Sequence, residues 1–417
     1  MHSCYSFRMH MLLRWALLCL LSVLSACGGG GGGTSTTQTF VSLPPSAANA
    51  SDANVALVSV EAGPRNNVNI PYVSVTLCVP GSTTNCQTID HIVVDTGSYG
   101  LRVFATSLAT LTLPAHTIGG SATISECAQF ALQITAWGQV KVADLTIGNK
   151  RASSVPIQVM DVGSSPCSGA LMSPPTVTGT GLIPLSANGI LGIGKYINDG
   201  QTYYNCANPT PTTCQIYPAA SQQVKNPIAA FTSDNNGAIL QLPSVPSTGA
   251  TRAPGYLIFG VETQSNNRIG TANIVPLNNS GYFTTTYQGR PYTNSIFDSG
   301  SNGLYFDDTA IPTGCYVSAP DFYCPPADLS LTASIRLATS SALVNFHVFN
   351  TSTLFTNVSN YVFNNLGGTI TPNFTSSSSI DPMFDWGLPF FFGRSVYTVL
   401  EGKTIGNMTG PFHAFTN

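Results

Sequence analysis

HIVVDTGSYGLRVF, residues 91–104, is the stretch of sequence that decides the fold. An apolar, β-branched run ends there on Asp95 and then turns through Thr-Gly-Ser. A carboxylate at the end of a buried strand is costly to desolvate, which indicates that the acid is kept for use. The chain repeats the arrangement in SIFDSGSNGLYF, residues 295–306, where Asp298 follows Asp95 by 203 residues.

The two copies match beyond the acid itself. Both read apolar-apolar-Asp, then Thr or Ser, then Gly-Ser-x-Gly-Leu. A single D-[ST]-G-S tetrapeptide is weak support for a functional site, because Asp often caps an ordinary turn. Two copies with matched flanks indicate an internal duplication. The residues that would support the acids are Thr96, Gly97, Ser98, Ser299, Gly300 and Ser301.

Two such turns, brought together, predict acid–base chemistry. Glycine lets backbone N–H groups approach a carboxylate closely, and the Ser after it donates a second hydrogen bond. Thr96 and Ser299 are expected to bond across a two-fold axis and lock one turn to the other. Two carboxylates about 3 Å apart cannot both ionise, so Asp95 and Asp298 would share one proton. Such a pair activates a water for attack on a carbonyl group.

Composition points to an all-β protein outside the cytoplasm. Charged residues make up 8% of the chain, against about 25% in an ordinary globular domain, and short Val/Ile/Thr/Tyr-rich runs alternate with turn residues. A net charge of −3 gives no sign of a nucleic-acid partner. The sequence contains no C-x-x-C, H-E-x-x-H, P-loop or dinucleotide fingerprint, so neither a metal nor a cofactor is expected.

The N-terminal segment has the pattern of a bacterial lipoprotein signal. Arg8 and Arg14 precede an apolar run of about 12 residues, which is too short to span a bilayer. The run ends in LSAC, which resembles the lipobox, so residues 1–26 are predicted to be a signal peptide and Cys27 to carry lipid. Ordinary cleavage near Ala26, with Cys27 left free, is the alternative.

The segment after Cys27 is predicted to be a tether. Residues 28–33 are six glycines, and the polar stretch that follows has no capacity to pack, so residues 27–54 form the lipidated cysteine and linker. Gly28 rather than Asp after the cysteine resembles the pattern of outer-membrane lipoproteins. A lipid-anchored protein of the bacterial cell envelope is therefore expected, attached to the membrane by its N-terminus.

Eight cysteines remain outside the signal segment and Cys27. They allow 105 disulfide connectivities, so sequence alone leaves the pairing open. Nearest-neighbour pairing is predicted, because most of the pairs bracket turn-rich segments. The predicted pairs are Cys78–Cys86, Cys127–Cys167, Cys206–Cys214 and Cys315–Cys324.

From about Val55 to its end the chain resembles the pepsin-like, two-lobed aspartic peptidases. Besides the Asp turns, the stretches that carry the resemblance are NGILGIG (188–194), GYLIFGVETQSNNRIG (255–270), GYFTTTYQG (281–289) and WGLPFFFGRSVYTVLEG (386–402). The chain is also similar to a group of bacterial lipoproteins with paired D-[ST]-G-S turns.

The resemblance implies an all-β, bilobal fold of two pseudo-symmetric, barrel-like lobes, with a first lobe over 55–245 and a second over 246–417. Asp95 and Asp298 would be the catalytic dyad on the floor of the cleft between them. The implied activity is that of an extracytoplasmic endopeptidase, a monomer without cofactor, which binds an extended peptide or protein substrate.

The chain also departs from that family. A hairpin over residues 132–148 is expected to cover the cleft, but Trp137-Gly138 stands where the family has Tyr-Gly. Arg102 replaces a Trp beneath this flap, and a cation–π contact between Arg102 and Trp137 is one possible substitute. These departures favour the alternative function, a catalytically inactive lipoprotein that acts as an envelope binding, inhibitor or scaffold protein. A carbohydrate-binding β-protein is a third reading.

Two expectations concern the last third of the chain. Pro389 and Phe390 are aligned with the Gly-Asp of the family, which predicts a different support for the second Asp turn. The Ser-rich stretch 374–387, with Asp381 and Asp385, is expected to be an exposed loop without a metal site.

Overall fold

The strands of this protein are short and numerous, as its β-branched and turn-rich composition predicts. The computed structural model describes residues 48–120, 122–163, 165–206, 214–217, 223–370 and 382–417. The strands of the first part are β1 (Val55–Val60), β2 (Pro71–Cys78), β3 (Cys86–Asp95), β4 (Tyr99–Phe104), β5 (Thr117–Ile118), β6 (Ala122–Gln129), β7 (Ile134–Ile147), β8 (Lys150–Asp161), β9 (Ala170–Ser173), β10 (Leu182–Pro184), β11 (Gly189–Ile193), β12 (Thr202–Cys206), β13 (Cys214–Ile216) and β14 (Gly237–Gln241).

The rest of the chain is equally rich in strands. They are β15 (Ala253–Phe259), β16 (Asn273–Pro276), β17 (Phe283–Tyr287), β18 (Arg290–Asp298), β19 (Leu304–Tyr305), β20 (Leu329–Arg336), β21 (Ser341–Val348), β22 (Gly367–Gly368), β23 (Asp385–Gly387), β24 (Ser395–Val399), β25 (Thr404–Ile405), β26 (Met408–Thr409) and β27 (Phe412–Phe415). The described residues contain one α-helix, α1 (Thr351–Leu354). The predicted all-β fold class is confirmed.

Each half of the chain builds the same three-strand unit around its Asp turn. In the first half, β11 lies between β3, to which it is parallel, and β4, to which it is antiparallel. In the second half, β23 is parallel to β18 and antiparallel to β19. Gly192 is in register with Asp95, and Gly387 with Asp298. The sequence repeat is therefore also a repeat of topology.

A six-stranded antiparallel section of the largest sheet joins the two halves. Its strand order is β1, β15, β14, β24, β27, β16. The first strand of the described chain and the last one belong to this sheet. The predicted lobe boundary, between Val245 and Pro246, falls between the paired strands β14 and β15 and stays a prediction.

Aromatic packing under the second turn holds Asp298 at the end of its strand. Phe297 stacks on Phe390 with ring centroids 4.7 Å apart, and Phe384 stacks on Trp386 at 4.4 Å. Trp386 is fully buried, and its indole N–H donates to Thr285 Oγ1 at 2.9 Å. Burial of such rings stabilises the folded chain by roughly 2–3 kcal/mol per side chain.

In the part of the chain that the structure describes, no helix has the length and apolar character needed to cross a membrane.

Candidate active site

The two Asp turns are tied together by four buried hydrogen bonds. The backbone N–H of Thr96 donates to Ser299 Oγ at 3.0 Å, and that of Ser299 donates to Thr96 Oγ1 at 2.9 Å. The same hydroxyls donate onward, Thr96 to the carbonyl of Phe297 at 3.0 Å and Ser299 to that of Val94 at 2.7 Å. Because each turn supplies both donors and acceptors, neither turn can shift alone.

Each carboxyl group is held in the same way by its own turn. The N–H of Gly97 donates to Asp95 Oδ1 at 2.8 Å, and Ser98 Oγ donates to Asp95 Oδ2. In the second copy, the N–H of Gly300 donates to Asp298 Oδ1 at 2.8 Å, and Ser301 Oγ donates to Oδ2 at 2.9 Å. These donors orient both carboxyl planes before any ligand binds.

The two carboxyl groups lie side by side, since a Cβ atom on Gly300 would be 2.8 Å from Asp95 Oδ1 and 3.1 Å from Asp298 Oδ1. A Cβ atom on Gly97 would lie 2.7 Å from Asp298 Cγ. Only glycine fits at these two positions. Burial and, secondly, the negative charge of Asp95 raise the pKa of Asp298 to about 7. A raised pKa on one of two adjacent carboxyl groups is the behaviour expected of a pair that shares one proton.

A cavity of about 590 Å³ opens above the two acids. Both halves contribute apolar and polar side chains to its walls, and the polar ones of the first half include Arg102, Asp199 and Gln201. Its lining includes Ile70, Val93, Phe130, Leu132, Ile134, Met172, Ile183, Leu185 and Ile190 from the first half, and Ser301, Asn302, Met383 and Asp385 from the second. A concave, mostly apolar site with converging polar groups is the usual form of a ligand pocket.

Comparison with protein families gives one match, over residues 50–415, to the family described as Protein of unknown function (DUF3443). The chain belongs to this family. A comparison with curated proteins finds no match. Among solved structures, the chain is similar to an aspartic proteinase from Irpex lacteus at 15% sequence identity, with a TM-score of 0.45, over 86% of this chain and 97% of that one.

The prediction of a hairpin within residues 132–148 is wrong, because Ile134–Ile147 is the single strand β7. The hairpin that borders the cavity is formed by β6 and β7. Its tip contributes Phe130, Ala131 and Leu132 to the cavity lining, and the Leu132 side chain is 51% exposed. Trp137 lies further along β7, where it is buried against Tyr204 and the Cys127–Cys167 and Cys206–Cys214 disulfides. Gly138 packs against the backbone of β8, since a Cβ there would meet the carbonyl of Val159 at 1.9 Å. The tip, not Trp137-Gly138, faces the cavity.

Arg102 is part of a buried ion-pair network beside the cavity. Its Nη2 atom lies 2.6 Å from Glu126 Oε1 and 2.6 Å from Asp199 Oδ2. Burial outweighs the attraction of Arg102 and holds the pKa of Glu126 well above its usual range. The aromatic ring near the guanidinium is that of Phe130, at 5.8 Å. The network thus ties the hairpin strand β6 to β4, and the contact considered between Arg102 and Trp137 is replaced by one to Phe130.

Asp385 was expected in an exposed loop, and this expectation is wrong. It is the first residue of β23, is 2% exposed and lines the cavity. Asp381 lies outside the described residues. Comparison of the two repeats could have placed Asp385 in a strand. Ile190-Leu191-Gly192 of β11 is equivalent to Asp385-Trp386-Gly387 of β23. An acid replaces isoleucine at one of two equivalent positions.

The support of the second turn also differs from the expected alignment. Gly387, rather than Pro389, is in register with Asp298, as Gly192 is with Asp95. A Cβ on Gly387 would meet the carbonyl of Gly303 at 2.0 Å, so this glycine is required for close packing. Pro389 lies in the buried 3₁₀ turn Leu388–Phe391 that follows.

All four predicted disulfides are formed: Cys78–Cys86, Cys127–Cys167, Cys206–Cys214 and Cys315–Cys324. Cys127–Cys167 closes a loop of 40 residues and fastens the hairpin strand β6 to the segment before β9. Cys27 and the rest of the predicted signal and tether up to residue 47 lie outside the described residues. The described residues contain no group of three His, Cys, Asp or Glu side chains that could hold a metal ion.

Proposed function

We propose that this protein is an aspartic-type endopeptidase, which hydrolyses peptide bonds with a water activated by Asp95 and Asp298. The observation that carries the proposal is the close approach of the two carboxyl groups, which are held by matched donors and line one cavity. A structural pair of acids would be cheaper to replace by apolar residues than to bury in contact with each other.

The chemistry follows from the single shared proton. Asp298, whose pKa is raised to about 7, carries this proton at acidic and neutral pH. It donates the proton to the substrate carbonyl oxygen while Asp95 accepts a proton from the attacking water, and the water oxygen bonds to the carbonyl carbon. When the tetrahedral intermediate collapses, the C–N bond breaks and the leaving nitrogen takes up a proton from the pair.

The substrate of this reaction is an extended peptide. The cavity is open to one side of the paired acids and is bordered by the tip of the β6–β7 hairpin. Extended segments bind in such sites through backbone hydrogen bonds and alternate side-chain pockets. The reaction needs no cofactor.

The test compares the purified wild-type protein with Asp95→Asn and Asp298→Asn on casein between pH 3 and 7, with and without pepstatin. Wild type is expected to cleave and each variant to lose at least 1,000-fold in kcat/KM, because a single carboxyl cannot act as both acid and base. Circular dichroism melting checks that all three proteins are folded. A folded wild-type protein that cleaves nothing at any pH contradicts the proposal and favours a binding or scaffold role.

The same proposal includes a location. The lipobox-like LSAC sequence and the glycine tract support attachment of the protein to the bacterial cell envelope through lipid on Cys27. Replacement of Cys27 by Ala is expected to move the protein from the membrane fraction to the soluble envelope fraction. An unchanged distribution in the variant would contradict lipid attachment at this residue.

A further inference from the structure

The two halves of the chain differ at one equivalent position of the cavity. The first half has Ile190 where the second half has Asp385, and both residues line the cavity. The second-half wall presents Asp385 between Ser301 and Met383. Because Ile190 fills the equivalent position in the first half, the three-strand unit itself does not require an acid there. Asp385 is therefore a feature of this cavity.

Asp385 is a buried carboxyl group with an unused acceptor. It is 2% exposed, and its Oδ1 atom has no hydrogen-bond partner among the described residues. No described Lys, Arg or His forms an ion pair with it; the nearby titratable groups are Asp298, Asp95 and Tyr305. Burial and, secondly, the charge of Asp298 raise the pKa of Asp385 well above its usual range, and the nearby Ser301 hydroxyl only partly offsets this.

An unpaired carboxylate in such a place is strongly unfavourable, so the empty cavity holds Asp385 in its neutral form. A positive charge brought into the cavity by a ligand reverses this balance, because a buried ion pair with good geometry restores the ionised acid. The part of a ligand that pairs with Asp385 is therefore positively charged. A metal ion does not fit, since the described residues offer no cluster of three ligating side chains.

We propose that Asp385 binds a lysine or arginine side chain of the substrate next to the scissile bond. The expected effect of Asp385 on cleavage rests on the proposed peptidase function. The expected binding of a cationic side chain by Asp385 does not depend on that function. Asp385 is a specificity-determining residue and takes no part in the proton transfers of the pair.

The cleavage test uses capped hexapeptides with Phe-Lys or Lys-Phe at the centre, matched to peptides with norleucine in place of lysine. Norleucine keeps the length of the side chain and removes the charge. Wild type is expected to prefer the lysine member of one pair by at least tenfold in kcat/KM. Asp385→Asn is expected to lose this preference, measured as the ratio of kcat/KM for the lysine peptide to kcat/KM for the norleucine peptide.

The matched control is Asp328→Asn, which removes an acid of the same type at an exposed site remote in sequence from both turns, where Asp328 pairs with His347. It is expected to keep the preference for lysine. A preference that survives in Asp385→Asn, or that is lost equally in Asp328→Asn, overturns the proposal.

A binding measurement separates this inference from the peptidase proposal. The same peptides are titrated into wild type and Asp385→Asn by calorimetry at pH 6, in two buffers with different ionisation enthalpies. The lysine peptide is expected to bind wild type at least tenfold more tightly than its norleucine partner and to release a proton. If it does so while wild type cleaves neither casein nor these peptides at any pH from 3 to 7, the peptidase proposal fails and the Asp385 site stands. Equal binding of the two peptides, without proton release, refutes the site even if casein is cleaved.

Discussion

At the scale of single residues, the Asp95–Asp298 pair makes the pH dependence of the reaction predictable. The raised pKa of Asp298, about 7, keeps its proton in place through acidic and neutral pH. We expect kcat/KM to fall tenfold per pH unit above about pH 7, because the protonated acid is then lost. A pH–rate profile from pH 4 to 9 measures this, and a rate that still rises at pH 9 would contradict the assignment of Asp298 as the acid.

Gly97 offers a test of the contact between the carboxyl groups. In Gly97→Ala, the new methyl group would lie 2.7 Å from Asp298 Cγ, so one turn must move. We expect a loss of more than 100-fold in activity and a decrease of about 1–3 kcal/mol in the free energy of unfolding. The control is Gly179→Ala, where the nearest atom would be Leu182 Cδ1 at 3.4 Å. Peptidase assays and urea unfolding compare the two; equal behaviour would show that the turns tolerate the movement.

At the scale of elements, the β6–β7 hairpin separates substrate contact from stability. Leu132 at its tip is exposed and lines the cavity, whereas Trp137 is buried against two disulfides. We expect Leu132→Ala to raise KM several-fold without a change in melting temperature. Trp137→Ala is expected to destabilise the fold by about 3–5 kcal/mol, the usual cost of emptying a buried aromatic site. Steady-state kinetics and thermal melting decide; a higher KM from Trp137→Ala at unchanged stability would contradict this division.

A disulfide of the same hairpin allows a second comparison. Loop-closure entropy predicts that loss of Cys127–Cys167, with its 40-residue loop, costs about 1.4 kcal/mol more than loss of Cys78–Cys86, whose loop has 8 residues. Paired Cys→Ala variants and urea unfolding measure the difference. A greater loss from the short loop would mean that packing around the sulfurs dominates.

Local patterns in the sequence predicted much of the fold and part of the site. The Asp turns could be predicted because the same short motif occurs twice in the chain. The disulfide pairs could be predicted because each cysteine pairs with its nearest neighbour in the sequence. The hairpin tip could not be predicted from the sequence. Its backbone has positive φ at Leu132 and Gln133, and no glycine at these positions indicates a turn. Asp385 was missed because it lies in a strand of three residues after a Ser-rich stretch, so the pattern was that of a loop.

At the scale of the whole molecule, His413 makes the stability of the protein depend on pH. It lies in β27, one of the six antiparallel strands that join the two halves. It is 4% exposed in β27 and packs edge-on against Phe297, the residue before Asp298. Burial and, secondly, the charge of Lys195 lower the pKa of His413 to about 3. The folded state therefore holds His413 as a neutral imidazole. The contribution of this group to the free energy of unfolding is fully present above the unfolded-state pKa near 6.5 and is lost as the pH falls toward 3.

We expect the free energy of unfolding to decrease by about 3 kcal/mol between pH 6.5 and 4 through this one group. His413→Gln removes the titrating group, so its stability should depend less on pH over that interval. Urea unfolding of both proteins at several pH values measures the difference. Parallel curves for the two proteins would show that His413 takes up its proton without cost.

The six-stranded section of the largest sheet has a consequence for how the chain is made. Strand β14 is flanked on one side by β24 and needs residues more than 150 positions downstream to complete its ladder. During synthesis or export, β14 therefore has unpaired backbone groups along one edge until β24 is available to pair with it. A ribosome-stalled chain that stops before β24 should remain sensitive to added trypsin, whereas a chain that includes residues 395–417 and is released should be resistant throughout.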